Sequence, residues 1–351
     1  MKIWTHLAVT CSALILCSCE EKQESVLNTE PPTLHVYMWA DYVKPELVKQ
    51  FEHENHCRVV IDTFDSNEAM FAKLKAGASG FDLALPSSYM VKVMKEQEMI
   101  SQINRSMIPN LVQITSDVAN RVHDKMMTHS VPYAVSHTVI AYRKDRLERV
   151  DPTWSALLRE DVKGRTTLLN DMRETLGSAL KSLGHSINSR DEQHLEQARD
   201  VVIQWKKNSA KFDNEGYKTG IDSGEFSLVM EYSGDLFQVL EENDKVGIMV
   251  PKEGVTMSCD EFVILREGQN PFLAHQFINF LLDPKIAAEN MQWMGYLCPN
   301  KGALELVART FLEHPAIRLP DEVKEKVEVI EDLGADLAKF TKVWDEVKAA
   351  R

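Results

Sequence analysis

Basic residues are scarce in this 351-residue chain. Forty lysines and arginines stand against 53 aspartates and glutamates, which gives a formal net charge of −13. A nucleic-acid-binding surface requires a concentration of basic side chains, so this balance argues against a nucleic-acid partner. The acidity is compatible with a cationic ligand, although acidic proteins are often merely soluble. The length is sufficient for two domains of ordinary globular composition.

Several sequence motifs of catalysis are missing. The glycine-rich stretch at residues 77–80 lacks the following lysine of a phosphate-binding loop, and there is no Gly-x-Ser-x-Gly sequence. His53 and His56 lack the His-Glu-x-x-His spacing of zinc proteases. A carboxylate pair at Asp171 and Glu174 could serve as acid and base, but no nucleophile or metal pattern accompanies it. We therefore expect no enzyme activity, no cofactor and no metal site.

The N-terminus has the organisation of an export signal. Lys2 precedes an apolar stretch at residues 7–16, which is too short to span a bilayer. Cys17 and Cys19 follow, and this stretch resembles the bacterial lipobox, in which a cysteine is acylated. We predict a signal peptide over residues 1–18, lipidation of Cys19 and a tether over residues 19–32. A plain cleaved signal, or acylation of Cys17, is the alternative.

The remaining cysteines are Cys57, Cys259 and Cys298, and no Cys-x-x-Cys pair is present. An exported protein can form a disulfide between two of them, but the sequence does not choose the pair. Three buried, reduced cysteines are an equally good interpretation.

After the tether, strand and helix patterns alternate. Apolar and β-branched runs at residues 34–39, 58–64 and 82–85 predict strands, and the stretches between them have helical periodicity. A second such series begins near residue 166, after a long extended segment at residues 131–142. Another extended segment, at residues 247–265, returns from it. This alternation predicts an α/β protein with mostly parallel sheets.

Two crossings between two α/β units imply two lobes with a cleft between them. We predict that residues 33–134 and 261–303 form the first lobe. Residues 135–260 and 304–351 are assigned to the second lobe. Ligands of such sheets bind beyond the carboxyl ends of parallel strands.

Aromatic residues and carboxylates recur after the predicted strands. These are Trp39, Asp41, Tyr42, Ser87, Tyr89, Asp171, Glu174 and Tyr232, with Asp260 in the second extended segment. Carboxylates accept hydrogen bonds from ammonium groups, and aromatic faces attract cations and cover methylene chains. A linear polyamine has this combination of groups. Each residue also has a structural interpretation: Asp171 could cap a helix, and the aromatic residues could cover a sheet edge.

Six stretches carry a resemblance to a known family. They are "YMWADYV", "FDSNEAMFAKLKAG", "GFDLALPSSYMV", "LLNDMRETLGSALKSLG", "FINFLLDP" and "GYLCPN". In order and spacing they resemble the spermidine/putrescine-binding proteins of ABC importers, from about residue 33 to the C-terminus. The resemblance implies a type II periplasmic binding protein fold, with two α/β lobes joined by two crossover segments.

The resemblance also implies ligand contacts, residue by residue. The matching positions are Trp39, Asp41, Tyr42, Ser87, Tyr89, Asp171, Glu174, Tyr232, Asp260, Tyr296 and Asp345. Two positions depart from the family: Ser258 stands where a Trp is frequent, and Asp345 where a Gln is frequent. The motifs do not decide between spermidine and putrescine.

We therefore expect an extracytoplasmic, membrane-anchored lipoprotein that captures a polyamine and delivers it to an ABC permease. A ligand-sensing module of the same fold, signalling to a membrane partner, is the alternative.

Overall fold

The computed structural model describes residues 31–350. The predicted signal peptide, Cys19 and most of the tether lie outside the described residues. The strands are β1 Thr33–Met38, β2 Arg58–Thr63, β3 Leu83–Ala84, β4 Ser130–Arg143, β5 Thr166–Leu168, β6 Lys211–Phe212, β7 Leu228–Tyr232, β8 Val246–Met249, β9 Thr256–Ile264 and β10 Glu328–Val329. The α-helices are α1 Pro45–Asn55, α2 Asn67–Lys75, α3 Ser88–Glu96, α4 Ser116–Ala119, α5 Met172–Ser182, α6 Glu192–Asn208, α7 Tyr217–Ser223, α8 Ser233–Glu242, α9 Pro271–Leu281, α10 Pro284–Met294, α11 Lys301–Leu306, α12 Arg309–Leu312, α13 Asp321–Lys324 and α14 Leu337–Ala349.

The strands hydrogen-bond in the order β2-β1-β3-β9-β4-β7-β5-β6, with β10 added to β9 and β8 to β4. Strands β1, β2 and β3 are parallel, and so are β5, β6 and β7. The two central strands, β4 and β9, run antiparallel to each other and to their neighbours β7 and β3. The predicted α/β architecture is therefore confirmed, with parallel strands on both sides of an antiparallel centre.

Local sequence explains how the helices begin and end. Pro45 occupies the first turn of α1, where its missing N–H costs no hydrogen bond, and the helix ends at His56 in the left-handed conformation. Ser66 is the N-cap of α2, and its side chain accepts a hydrogen bond from the Ala69 amide.

Strands β4 and β9 connect the two halves of the molecule. The N-terminal part of β4 pairs with β9 through contacts such as Ala134 with Asp260. Its C-terminal part pairs with β7 and β8, so that Thr138 lies opposite Tyr232. These strands correspond to the two predicted crossover segments. The second predicted segment is broken, however, because β8 and β9 are separate strands.

The apolar side chains form two large clusters, one on each side of this centre. The first includes Phe51 and Phe277, and the second includes Trp154 and Trp205. The predicted division into lobes remains a prediction. One part of it disagrees with the packing: residues 304–316 were assigned to the second lobe, yet Val307, Phe311 and Ala316 lie in the first cluster.

All three cysteines outside the N-terminal segment are buried and unbonded: Cys57, Cys259 and Cys298. Of the two interpretations of the sequence, the structure favours small, buried, reduced side chains.

Candidate functional site

A single cavity of about 530 Å³ collects most of the predicted binding residues. Its volume is typical of small-molecule sites. The predicted residues that line it are Trp39, Asp41, Tyr42, Ser87, Tyr89, Asp171, Glu174, Tyr232, Asp260 and Tyr296. Tyr296 follows α10, and the others come from the ends of β1, β3, β5 and β7 and from the central strand β9. The carboxyl ends of parallel strands therefore meet at one crevice, as the sheet topology requires.

Asp260 projects from β9 and is almost fully buried. Its carboxylate accepts hydrogen bonds of 2.7 Å from the Tyr42 hydroxyl and 2.7 Å from the Ser87 hydroxyl. Burial raises the pKa of Asp260 to about 6, although these hydroxyl donors stabilise the charged form. The Trp39 indole N–H also stabilises this charge, yet it makes no hydrogen bond of ordinary geometry to residues 31–350.

Glu174 lies in the first turn of α5 and is 2% exposed. Its carboxylate accepts hydrogen bonds from Thr138 at 2.7 Å, from Ser258 at 2.9 Å and from Thr256. Burial and the nearby charge of Asp171 raise the pKa of Glu174 to about 7, against the effect of the three hydroxyl donors. Ser258 therefore helps to hold this carboxylate in place.

Asp171 has the structural role that the sequence left open. It is the N-cap of α5, and one carboxylate oxygen accepts a 3.0 Å hydrogen bond from the Glu174 amide. The other oxygen lies 3.4 Å from the Tyr232 hydroxyl. Burial raises the pKa of Asp171 as well. The capping interaction uses one oxygen and leaves the second at the cavity.

Aromatic rings form the walls. Trp39 packs against Phe64 with ring centroids 4.4 Å apart, and Tyr42 lies 5.1 Å from Tyr296. The close approach of Tyr296 requires a glycine, because a Cβ on Gly234 would lie 2.3 Å from its ring. Gly234 and Tyr296 therefore pack directly against each other.

Asp41 occupies the mouth of the cavity. Its backbone is left-handed, with φ of 56°, and its side chain is 63% exposed. The carboxylate lies 3.7 Å from the ammonium of Lys218. Asp41 does not cap α1, whose N-cap is Lys44.

The prediction for Asp345 is wrong: this residue does not reach the cavity. It lies in α14, which turns Phe340, Val343 and Val347 inward. Asp345 follows Val343 by two positions, about 200° around the helix, and is therefore exposed. In the C-terminal segment, residue Ile330 lines the cavity instead.

Sequence reasoning also missed several lining residues. Asn67 fixes the turn at Ser87, since its side chain accepts from the Ser87 amide at 2.9 Å and donates to the Ser87 hydroxyl at 3.1 Å. Asp235 accepts a hydrogen bond from Tyr217, and burial raises the pKa of Asp235. Asn67 is the first residue of α2, and in the sequence it resembles an ordinary polar residue at a helix start. Asp235 follows the Tyr-Ser-Gly motif directly, which was a usable signal.

These features define a class of protein. Buried carboxylates and aromatic walls enclose a cavity between the ends of parallel strands, and two long strands cross beneath it. Such a site is suited to a small cationic molecule.

The comparisons with known proteins agree. Residues 46–319 match the family model of the bacterial extracellular solute-binding proteins. The putrescine/cadaverine-binding protein of Pseudomonas aeruginosa is 30% identical over 91% of this chain and 94% of its own. A putative spermidine/putrescine ABC transporter structure from Listeria monocytogenes is 31% identical, covers 91% of this chain and 99% of its own, and has a TM-score of 0.84. The TpPotD lipoprotein structure of Treponema pallidum is 33% identical, covers 90% and 99%, and has a TM-score of 0.80.

The chain therefore belongs to the bacterial extracellular solute-binding protein family. The type II periplasmic binding protein fold implied by the sequence motifs is confirmed by this family and by the solved structures. Across residues 31–350, every helix is too short or too polar to span a bilayer.

Proposed function

We propose that this protein captures a linear polyamine, spermidine or putrescine, in the cavity and delivers it to an ABC permease. The observation that supports this proposal is the burial of Asp260 and Glu174, beside the half-buried Asp171, in one cavity with aromatic walls. Burial raises the pKa of each of these carboxyl groups, so a positive charge placed beside them would stabilise their ionised forms. A protonated amine supplies that charge, and its methylene chain fits against Trp39 and Tyr232.

The names of the relatives support this ligand class. The Pseudomonas protein is named for binding putrescine and cadaverine, and the Listeria structure for spermidine and putrescine. Both names describe binding or transport, which favours capture and delivery over the sensing alternative. We propose that the ligand is bound and released without chemical conversion.

The N-terminal sequence and the family support an extracytoplasmic, membrane-anchored location. The apolar stretch at residues 7–16 supports export, and the lipobox-like sequence supports acylation of Cys19. The Treponema relative is itself named a lipoprotein. A tether of about a dozen residues would then hold the binding domain at an extracytoplasmic membrane surface.

Isothermal titration calorimetry tests the ligand class. The purified protein is titrated with putrescine, spermidine, spermine and the uncharged sugar maltose. We expect saturable binding of at least one polyamine and none of maltose. Binding of maltose, or of no polyamine, would contradict the proposal.

A further inference from the structure

The cavity contains a positive charge of its own. Lys218 is the only basic residue among the described residues that line it, whereas seven aspartates and glutamates line it: Asp41, Asp65, Asp171, Glu174, Glu215, Asp235 and Asp260. Lys218 lies in the first turn of α7, and its side chain is 30% exposed. A lysine inside a site for cationic ligands repels any further positive charge that comes close to it.

The ammonium group of Lys218 is fixed at one end of the cavity. It donates a hydrogen bond to Gln238 and lies 3.7 Å from Asp41. Its positive charge also lowers the pKa of Asp235 and of Glu231, against a larger effect of burial that raises both. Lys218 therefore favours the ionised form of the carboxyl groups at this end of the cavity, as an ammonium group of the ligand would.

The acids near Lys218 do not all carry charge. Glu231 is 0% exposed, and neither of its carboxyl oxygens has a hydrogen-bond partner within residues 31–350. A buried carboxyl group without partners is neutral, because an isolated charge there is too costly. Asp41 and Asp235 are the other carboxyl groups at this end, and Lys218 supplies one positive charge beside them.

The other carboxylates have no lysine. Asp260 and Glu174 are held by hydroxyl groups, and Asp171 by a backbone amide and a tyrosine. Arg173 does not line the cavity, although its charge opposes the rise that burial gives to the pKa of Asp171. A ligand ammonium can therefore approach these acids without a basic side chain of the lining in its way. Toward Lys218, a further ammonium meets a like charge in a partly desolvated site, where repulsion is strong.

We propose that Lys218 is a specificity-determining residue that acts as a built-in ammonium and selects diamines over triamines. This inference rests on the proposed polyamine binding. A diamine places its two charges among Asp171, Glu174 and Asp260. A triamine must bring its third charge to the end that Lys218 already occupies.

The test is the ratio of the dissociation constants for spermidine and putrescine, measured by calorimetry for the wild type and for Lys218→Met. Methionine keeps the length and apolar stem of lysine but removes the charge. We expect the variant to shift the ratio toward spermidine by about five-fold or more, since one like-charge contact is removed. Lys218→Arg keeps the charge and is expected to keep the wild-type ratio.

Lys44→Met is the matched control. Lys44 is 27% exposed and forms an ion pair with Glu289 at 2.7 Å, but it does not line the cavity. The ratio of the two dissociation constants in Lys44→Met should equal that of the wild type. If Lys218→Met does not fold, as judged by thermal unfolding, Lys218→Gln replaces it.

A ratio that changes by less than about five-fold in the uncharged variant overturns the role of Lys218, while binding of either amine by the wild type still supports the proposed function. An equal shift in Lys218→Arg also overturns it, because the charge would then not be the cause. If the wild type binds neither amine, the proposed function fails, and this inference fails with it.

Discussion

The Tyr42 hydroxyl donates a 2.7 Å hydrogen bond to the carboxylate of Asp260, a residue 218 positions further along the chain. Tyr42 belongs to the loop after β1, and Asp260 belongs to the central strand β9. The bond therefore joins a strand-end loop to a strand that crosses between the two halves of the sheet. Ser87 donates to the same carboxylate at 2.7 Å. Asp260 is thus held in place before any ligand arrives.

Removing the charge of Asp260 should weaken polyamine binding strongly. In Asp260→Asn the side chain keeps its size, but the ligand ammonium loses a buried anionic partner. Truncating one partner of a desolvated charge pair costs about 2–5 kcal/mol, so the dissociation constant should rise by roughly 30-fold or more. Isothermal titration calorimetry measures this dissociation constant for the wild type and for Asp260→Asn.

Asp345→Asn is the matched control for this change. It removes the same charge from an exposed helix face outside the cavity, so its affinity should equal that of the wild type. Equal weakening in both variants would show that net charge, and not the site, governs binding. Unchanged affinity in Asp260→Asn would remove Asp260 from the site.

Polyamine affinity should fall as the pH is lowered from 8 to 5. The pKa of Asp260 is raised to about 6 and that of Glu174 to about 7, so both are protonated progressively through this interval. The primary ammonium groups of the ligand, like that of lysine with a pKa near 10, stay charged throughout. A cation favours the ionised carboxylates, so binding near pH 6.5 should release protons. Calorimetry in two buffers of different ionisation enthalpy detects this release. An affinity independent of pH would contradict the expectation.

Ser258→Ala should move this pH dependence upward. Ser258 donates a 2.9 Å hydrogen bond to the Glu174 carboxylate, and losing the donor disfavours the charged form. The pKa of Glu174 then rises further, and the midpoint of the affinity profile follows it. Ser182→Ala is a control, because Ser182 donates to the Ala179 carbonyl at 2.7 Å outside the cavity. Identical profiles for Ser258→Ala and the wild type would mean that this hydroxyl does not tune Glu174.

Cys19→Ala should release the protein from the membrane fraction of an expressing bacterium. Acyl chains contribute about 0.8 kcal/mol per buried methylene, so a protein without them has no comparable anchor. Fractionation and immunoblotting measure the distribution. Cys17→Ala should remain in the membrane fraction, and the reverse pattern would assign the acylation to Cys17.

Local patterns in the sequence predicted most of the fold and most of the cavity. Strand ends are set by short apolar runs, and parallel strands direct their carboxyl ends to one edge, so Trp39, Tyr42 and Asp171 could be placed together. The two-residue strand β10 carries no such signal. It exists because residues 328–329 pair with β9, a contact visible only after folding.

The missed residues depend on tertiary packing. Lys218 lies in the first turn of a short helix and in the sequence resembles a solvated surface residue, yet in the folded protein it lines an acidic cavity. Asp345 was predicted from the resemblance to the family alone, and that match carries no information on which face of α14 is buried. Helical periodicity around Phe340, Val343 and Val347 could have excluded it.

The central claim is that ammonium groups are held by buried carboxylates within this cavity. A crystal structure of the protein with putrescine or spermidine tests it most directly. We expect an amine nitrogen within about 3 Å of the Asp260 carboxylate and the methylene chain against the Trp39 ring. An amine bound elsewhere on the protein, or an anion or sugar filling the cavity, would contradict the account.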